Sequence, residues 1–180
     1  MTIRHEPASN SAGDVFRHYV GDIVYGANDG LVTTFTVVSG VAGAGLTPTV
    51  VIILGFVNLI ADGFSMGASN YLAIRSHADA EGKSRGIREP LFHGIMTFLS
   101  FVLIGSVPLL AYVIPPARDH AFLVSCLSTG GALFAVGASR SLVSERGWLR
   151  AGVEVLLVGL VAAVVAYEAG LLLARWTRAA

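Results

Sequence analysis

The stretch Thr49–Ile74, TVVIILGFVNLIADGFSMGASNYLAI, runs for 26 residues with Asp62 as its only charged side chain. A helix needs about 20 largely apolar residues to cross the hydrocarbon core of a bilayer, so this run predicts a membrane-spanning helix. Further runs of the same kind lie around it: Ile23–Leu46, Phe92–Val113, Ala121–Ala138 and Ala151–Leu173. They are continuous rather than alternating, and each is about twice the ~10 residues of a barrel strand, which favours helices. The expected fold class is therefore an all-α integral membrane protein with five transmembrane helices, at about 23–46, 49–74, 92–113, 121–138 and 151–173. Residues 23–174 form a single domain on this reading, 1–22 an N-terminal cytoplasmic segment and 175–180 a tail.

Composition agrees. Of 180 residues, 54% are apolar and only 13% charged, and the mean hydropathy is +0.69. A soluble domain carries about 25% charged residues, so this chain cannot cover a water-facing surface. Lys+Arg and Asp+Glu balance at 12 each, which gives no reason to expect nucleic acid. Cys126 is the single cysteine and excludes an intramolecular disulfide or a multi-cysteine zinc site. The first run is no signal peptide, because it follows Asp14, Arg17 and His18 and carries Asp29 inside it.

Charge placement predicts the orientation. With an odd number of spans, one face holds Arg4, Arg17, Arg75, Lys83, Arg85, Arg88, Arg140, Arg146 and Arg150, and the other Arg118, Arg175 and Arg178. The positive-inside rule then puts the N-terminus in the cytoplasm and the C-terminus outside. Gly43, Gly45 and Pro48 leave so short a first connection that the first two spans must form an antiparallel hairpin. Pro108 should kink the third span, and Trp148 should sit at the interface of the fifth.

Carboxylates at membrane depth carry the chemistry. Asp29 lies about two turns into the first span and Asp62 in the middle of the second. Each costs about 2.5–3.5 kcal/mol on insertion scales, and no Lys or Arg inside a span offers a partner. A functional role therefore outweighs a structural one. Asn58, Asp62, Met66 and Asn70 recur every fourth residue, and Asp22, Asp29, Thr33 and Thr36 also share one helical face. Two such stripes on adjacent helices could line a path; the plainer alternative is hydrogen-bonding glue, which fits the threonines best. Hard carboxylate oxygens beside the soft Met66 thioether suit Fe²⁺, while Mn²⁺ would be content with the oxygens. These donors are too few for a full shell, so a second chain, water or carbonyls must add to them. Gly26/Gly30, Gly63/Gly67 and Gly131/Ala135/Ser139 are small-residue patterns that serve packing within the chain or a dimer seam equally well.

Other features are set aside. Gly63-Phe64-Ser65-Met66-Gly67 mimics a hydrolase elbow, but it lacks the strand–turn–helix setting that such an elbow needs. His5, His18, His77, His93 and His120 fall at span ends or outside, with no metal-pair spacing. Glu154 and Glu168 can snorkel, and Cys126 reads as a small core residue.

The run Asp22–Phe35, DIVYGANDGLVTTF, resembles the first-helix motif of the vacuolar iron transporter family, and Asn58–Tyr71, NLIADGFSMGASNY, its second. Gly147–Gly159, GWLRAGVEVLLVG, is similar to the start of that family's fifth helix. The resemblance implies a five-helix homodimer that moves Fe²⁺ or Mn²⁺ out of the cytoplasm in exchange for protons. It implies metal-path roles for Asp22, Asp29 and Met66. Asn58 stands where some members carry a glutamate, with Asp62 one turn closer to the methionine. The acidic domain between the family's second and third helices is missing, and segment 75–91 offers only His77, Asp79, Glu81 and Glu89 in its place. This looks like the short branch of the family.

The expected activity is alternating access with Asp29 holding either metal or a proton, together with Asp22, Asp62 and Met66 as metal ligands and Thr33, Asn58 and Asn70 along the path. Metal ions and protons are the expected partners besides lipid and a second copy; the metal is substrate, with no tightly bound cofactor. A passive cation channel and a non-transporting scaffold are the alternatives. A membrane enzyme is disfavoured, since the spans hold no nucleophile–base pair. The compact loops point to a bacterial plasma membrane, with a vacuole or other endomembrane as the alternative.

Overall fold

The computed structural model describes residues 12–82, 86–115, 120–142 and 147–179. Among them every regular element is helical: α1 (Ala12–Gly43), α2 (Pro48–Ala80), α3 (Arg88–Gly105), α4 (Val107–Val113), α5 (Ala121–Ser139), a 3₁₀ turn at Arg140–Leu142 and α6 (Trp148–Ala179). Of these, α2, α5 and α6 are long and apolar enough to cross a membrane. The pair α3 and α4 makes a fourth crossing if counted as one broken span. Helix α1 has 32 residues but is less apolar, because it carries the polar stripe.

Three helices overrun the apolar runs that announced them by six residues or more, α2 among them, which reaches Ala80 rather than Ile74. Helix α1 starts at Ala12, inside the expected N-terminal segment, and α6 continues to Ala179, through the expected tail. Hydropathy marks where lipid should begin, whereas a helix ends only where its hydrogen bonds do. Arg4, Lys83, Arg85, Arg118 and Arg146, which count toward the expected orientation, lie outside the described residues.

The break between α3 and α4 bends the chain by 42°. Pro108 causes it: a proline has no N–H to donate to residue 104 and its ring crowds that carbonyl. The Ser125 hydroxyl of α5 donates to the Pro108 carbonyl at 2.8 Å and holds the bent segment. At the first connection Gly45 adopts φ +66°, which returns the Leu46 N–H to the Val41 carbonyl at 3.1 Å and closes α1.

That connection gives the expected hairpin, yet α1 packs more extensively on α3 and α6 than on α2. Glycines explain the choice. A Cβ on Gly30 would collide with the Phe101 backbone of α3, and one on Gly43 with the Tyr167 backbone of α6. Gly67 and Gly94 bring α2 and α3 together in the same way, each facing the other's carbonyl. The Gly26/Gly30 and Gly63/Gly67 patterns thus serve packing within one chain. Gly131 of the third pattern meets nothing nearby.

The interior is built from small residues and a few large anchors. Val38, Leu59, Phe101 and Leu109 are buried in one cluster, and Leu31, Leu133 and Val155 in another. Large apolar side chains point outward instead, with Phe64, Leu127 and Trp176 each 70% exposed. Such a surface is stable only against lipid or another apolar face. Cys126 is half-buried against the first cluster, as expected of a small core residue. The packing groups the start of α1, the end of α2, the start of α3, the end of α5 and the start of α6 at one end of the bundle.

Candidate functional site

The α1 stripe places its two aspartates in different settings. Asp22, near the start, is held from two neighbouring helices. His93 Nδ1 of α3 lies 2.5 Å from Asp22 Oδ2, and Asn70 Nδ2 of α2 donates to Oδ1 at 2.7 Å. The same Asn70 amide donates to Thr97 Oγ1 at 2.8 Å, and the Thr97 hydroxyl donates to the His93 carbonyl at 3.0 Å. The Asp22 and His93 side chains are only 17% and 14% exposed. This network ties three helices together around one carboxylate.

Asp29 lies seven residues on, roughly 10 Å farther along the axis at the α-helical rise. It is exposed on the surface of the single chain, as is Tyr25 one turn before it. Among the described residues it pairs with no cation; the charge it feels is Asp62 of α2, close enough for the two carboxylates to interact. Asp62 is half-buried and accepts from Asn58 Nδ2 at 2.7 Å. Two neighbouring carboxylates that pair with no cation among the described residues are hard oxygen donors suited to a divalent ion.

The remaining stripe residues separate. Met66 is half-buried and packs against the larger apolar cluster. Thr33 donates to the Asp29 carbonyl at 2.6 Å and Thr36 to the Thr33 carbonyl at 2.7 Å, so both hydroxyls are satisfied within α1 rather than across helices. Asn70 is held against Asp22 and Thr97. Beside the aspartates, Asn28 Oδ1 and Thr34 Oγ1 are buried without a hydrogen-bond partner.

His93 was set aside on the sequence for its place at a span end, and the structure corrects that: it is the residue that meets Asp22. A signal was present, since Glu89, His93 and Thr97 recur every fourth residue along one face of α3. The hydrolase-like Gly63–Gly67 run lies inside α2, where no elbow can form.

These motifs sit in a recognisable protein. The model of the VIT family matches residues 20–90 and 82–171, nearly the whole helical bundle. The chain belongs to the VIT family. Its two matched stretches overlap at residues 82–90, around the α2–α3 connection. A vacuolar iron transporter of Plasmodium falciparum is 28% identical, covering 84% of this chain and 81% of its own length. That alignment runs over 220 residues against the 180 of this VIT family member, so the relative carries inserted sequence. Vacuolar iron transporter 1 of Eucalyptus grandis is 24% identical over 91% of this chain and 88% of its own. A vacuolar iron transporter homolog of Oryza sativa is 28% identical over 80% and 69%.

Proposed function

We propose that this VIT family chain carries Fe²⁺ or Mn²⁺ out of the cytoplasm in exchange for protons, as a homodimer of five-span protomers with a cytoplasmic N-terminus. The observation that carries the proposal is Asp29: a carboxylate midway along a bundle helix, exposed on the single chain and facing Asp62 instead of a cation. Left against lipid, such a group costs about 2.5–3.5 kcal/mol. A second copy packed on the α1 and α2 faces removes it from lipid and doubles the carboxylates available to one ion. Helix α1 then brings the number of spans to five, its polarity tolerated because protein covers it. The names of the relatives support iron as one substrate.

The carboxylate pair exchanges cargo by charge. Metal bound between Asp29 and Asp62 neutralises both groups, and protons arriving from the opposite side do the same when the metal leaves. Asn58 holds Asp62 through its amide and keeps that oxygen aimed along the helix. Flux of Fe²⁺ and of Mn²⁺ into proteoliposomes, with and without an opposing proton gradient, tests the proposal. Gradient-stimulated uptake is the expected result. Uptake indifferent to the gradient would replace the antiporter with a passive channel, and no uptake of either ion would leave a scaffold.

A further inference from the structure

We propose that His18, Glu89 and His93 form a divalent-metal site at the end of the bundle where α1 and α3 begin, and that this site takes up the ion before it reaches Asp29. The ion's onward course rests on the transport reading above; the binding itself does not. One ligand atom from each of the three residues lies within 4.8 Å of the others. The His18 and His93 rings stand 5.1 Å apart between centroids, and the Tyr19 ring meets both edge-on, at 4.8 and 4.7 Å. Metal–ligand bonds of about 2.0–2.2 Å need a somewhat tighter cluster. His18 and Glu89 are both exposed, so rotation of these side chains can close the set.

Asp22 makes His93 a prepared ligand. With Asp22 as the ionised carboxylate it can only accept, so the His93 Nδ1–H donates across the 2.5 Å contact. That fixes the tautomer and leaves the Nε2 lone pair free to bind a metal. A carboxylate behind a histidine is the usual outer support of a metal-bound imidazole, orienting the ring and strengthening it as a donor. Asp22 is here a positioning residue, itself held by Asn70. Two borderline imidazoles with one hard carboxylate suit Fe²⁺, Co²⁺ and Zn²⁺, and such a set leaves coordination positions open. An ion held so can move on. His18 lies one turn before Asp22 and three turns before Asp29 on α1, about 16 Å from Asp29 along the axis.

The test is titration of tag-free protein in nanodiscs with Co²⁺ alone, followed by its d–d absorption and by calorimetry. The expected result is a nitrogen- and oxygen-ligated Co²⁺ whose affinity falls at least about 10-fold in His18→Ala and in Glu89→Gln. In Asp29→Asn the same spectrum should persist. Both His18 and Glu89 are exposed, so neither change opens the core. Wild type without this spectrum, or both variants binding as wild type does, would overturn the site and leave the transport proposal untouched. Intact binding in a protein that moves no metal would uphold the site and defeat only the transport reading.

Discussion

Asp22 and Asp29 stand two turns apart on one helix, and the fold treats them in opposite ways. Asp22 is enclosed by His93, Asn70 and Thr97 and joins three helices. Asp29 is left exposed with another carboxylate as its neighbour. A charge with satisfied partners contributes to structure, whereas one facing its own sign is tolerated only where something else is to arrive. The difference separates a carboxylate that supports the bundle from one that the transport proposal assigns to the ion.

The glycine seam that creates this difference should be the most sensitive to change. Gly30→Leu drives a side chain into the Phe101 backbone, and we expect a loss of about 3 kcal/mol or more, at the upper end for overpacking. Thermal unfolding in detergent measures it. Asp22→Ala comes next, at about 1–3 kcal/mol, because it orphans His93 and Asn70 across two interfaces. If this variant unfolds no earlier than wild type, Asp22 is not the support claimed here. Asn58→Ala removes one hydrogen bond within α2 and should cost about 0.5–1.5 kcal/mol, with altered metal preference as its sharper signature in competitive uptake. The smallest effect belongs to Pro108→Ala, under about 1 kcal/mol. The bend is also held by Ser125 and by Gly105 against Gly30, so spin-label distances across it should shift little.

Much of this was legible in the chain. Apolar runs located the helices, Pro108 located the break, and periodic Asp, Asn and Thr located the polar faces. What stayed hidden was which faces meet. The short first connection forces α1 and α2 to be neighbours in sequence, but small residues decide how closely backbones approach, and α1 spends its glycines on α3 and α6. Spacing within one helix could show that His93 shares a face with Glu89 and Thr97. It could not show that this face turns to Asp22, because that contact joins residues 71 positions apart. The threonines follow a related rule: a hydroxyl on a helix can bond its own preceding turn as readily as a neighbour, and Thr33 and Thr36 do so.

The most direct test of the contrast is proton-coupled metal uptake by Asp29→Asn beside wild type in matched proteoliposomes. The account predicts that uptake falls to the protein-free background. It also predicts that unfolding stability is not lowered, because among the described residues the Asp29 carboxylate has no cation to lose. Uptake at the wild-type rate, still driven by the proton gradient, would contradict it and move the transport carboxylate elsewhere in the bundle.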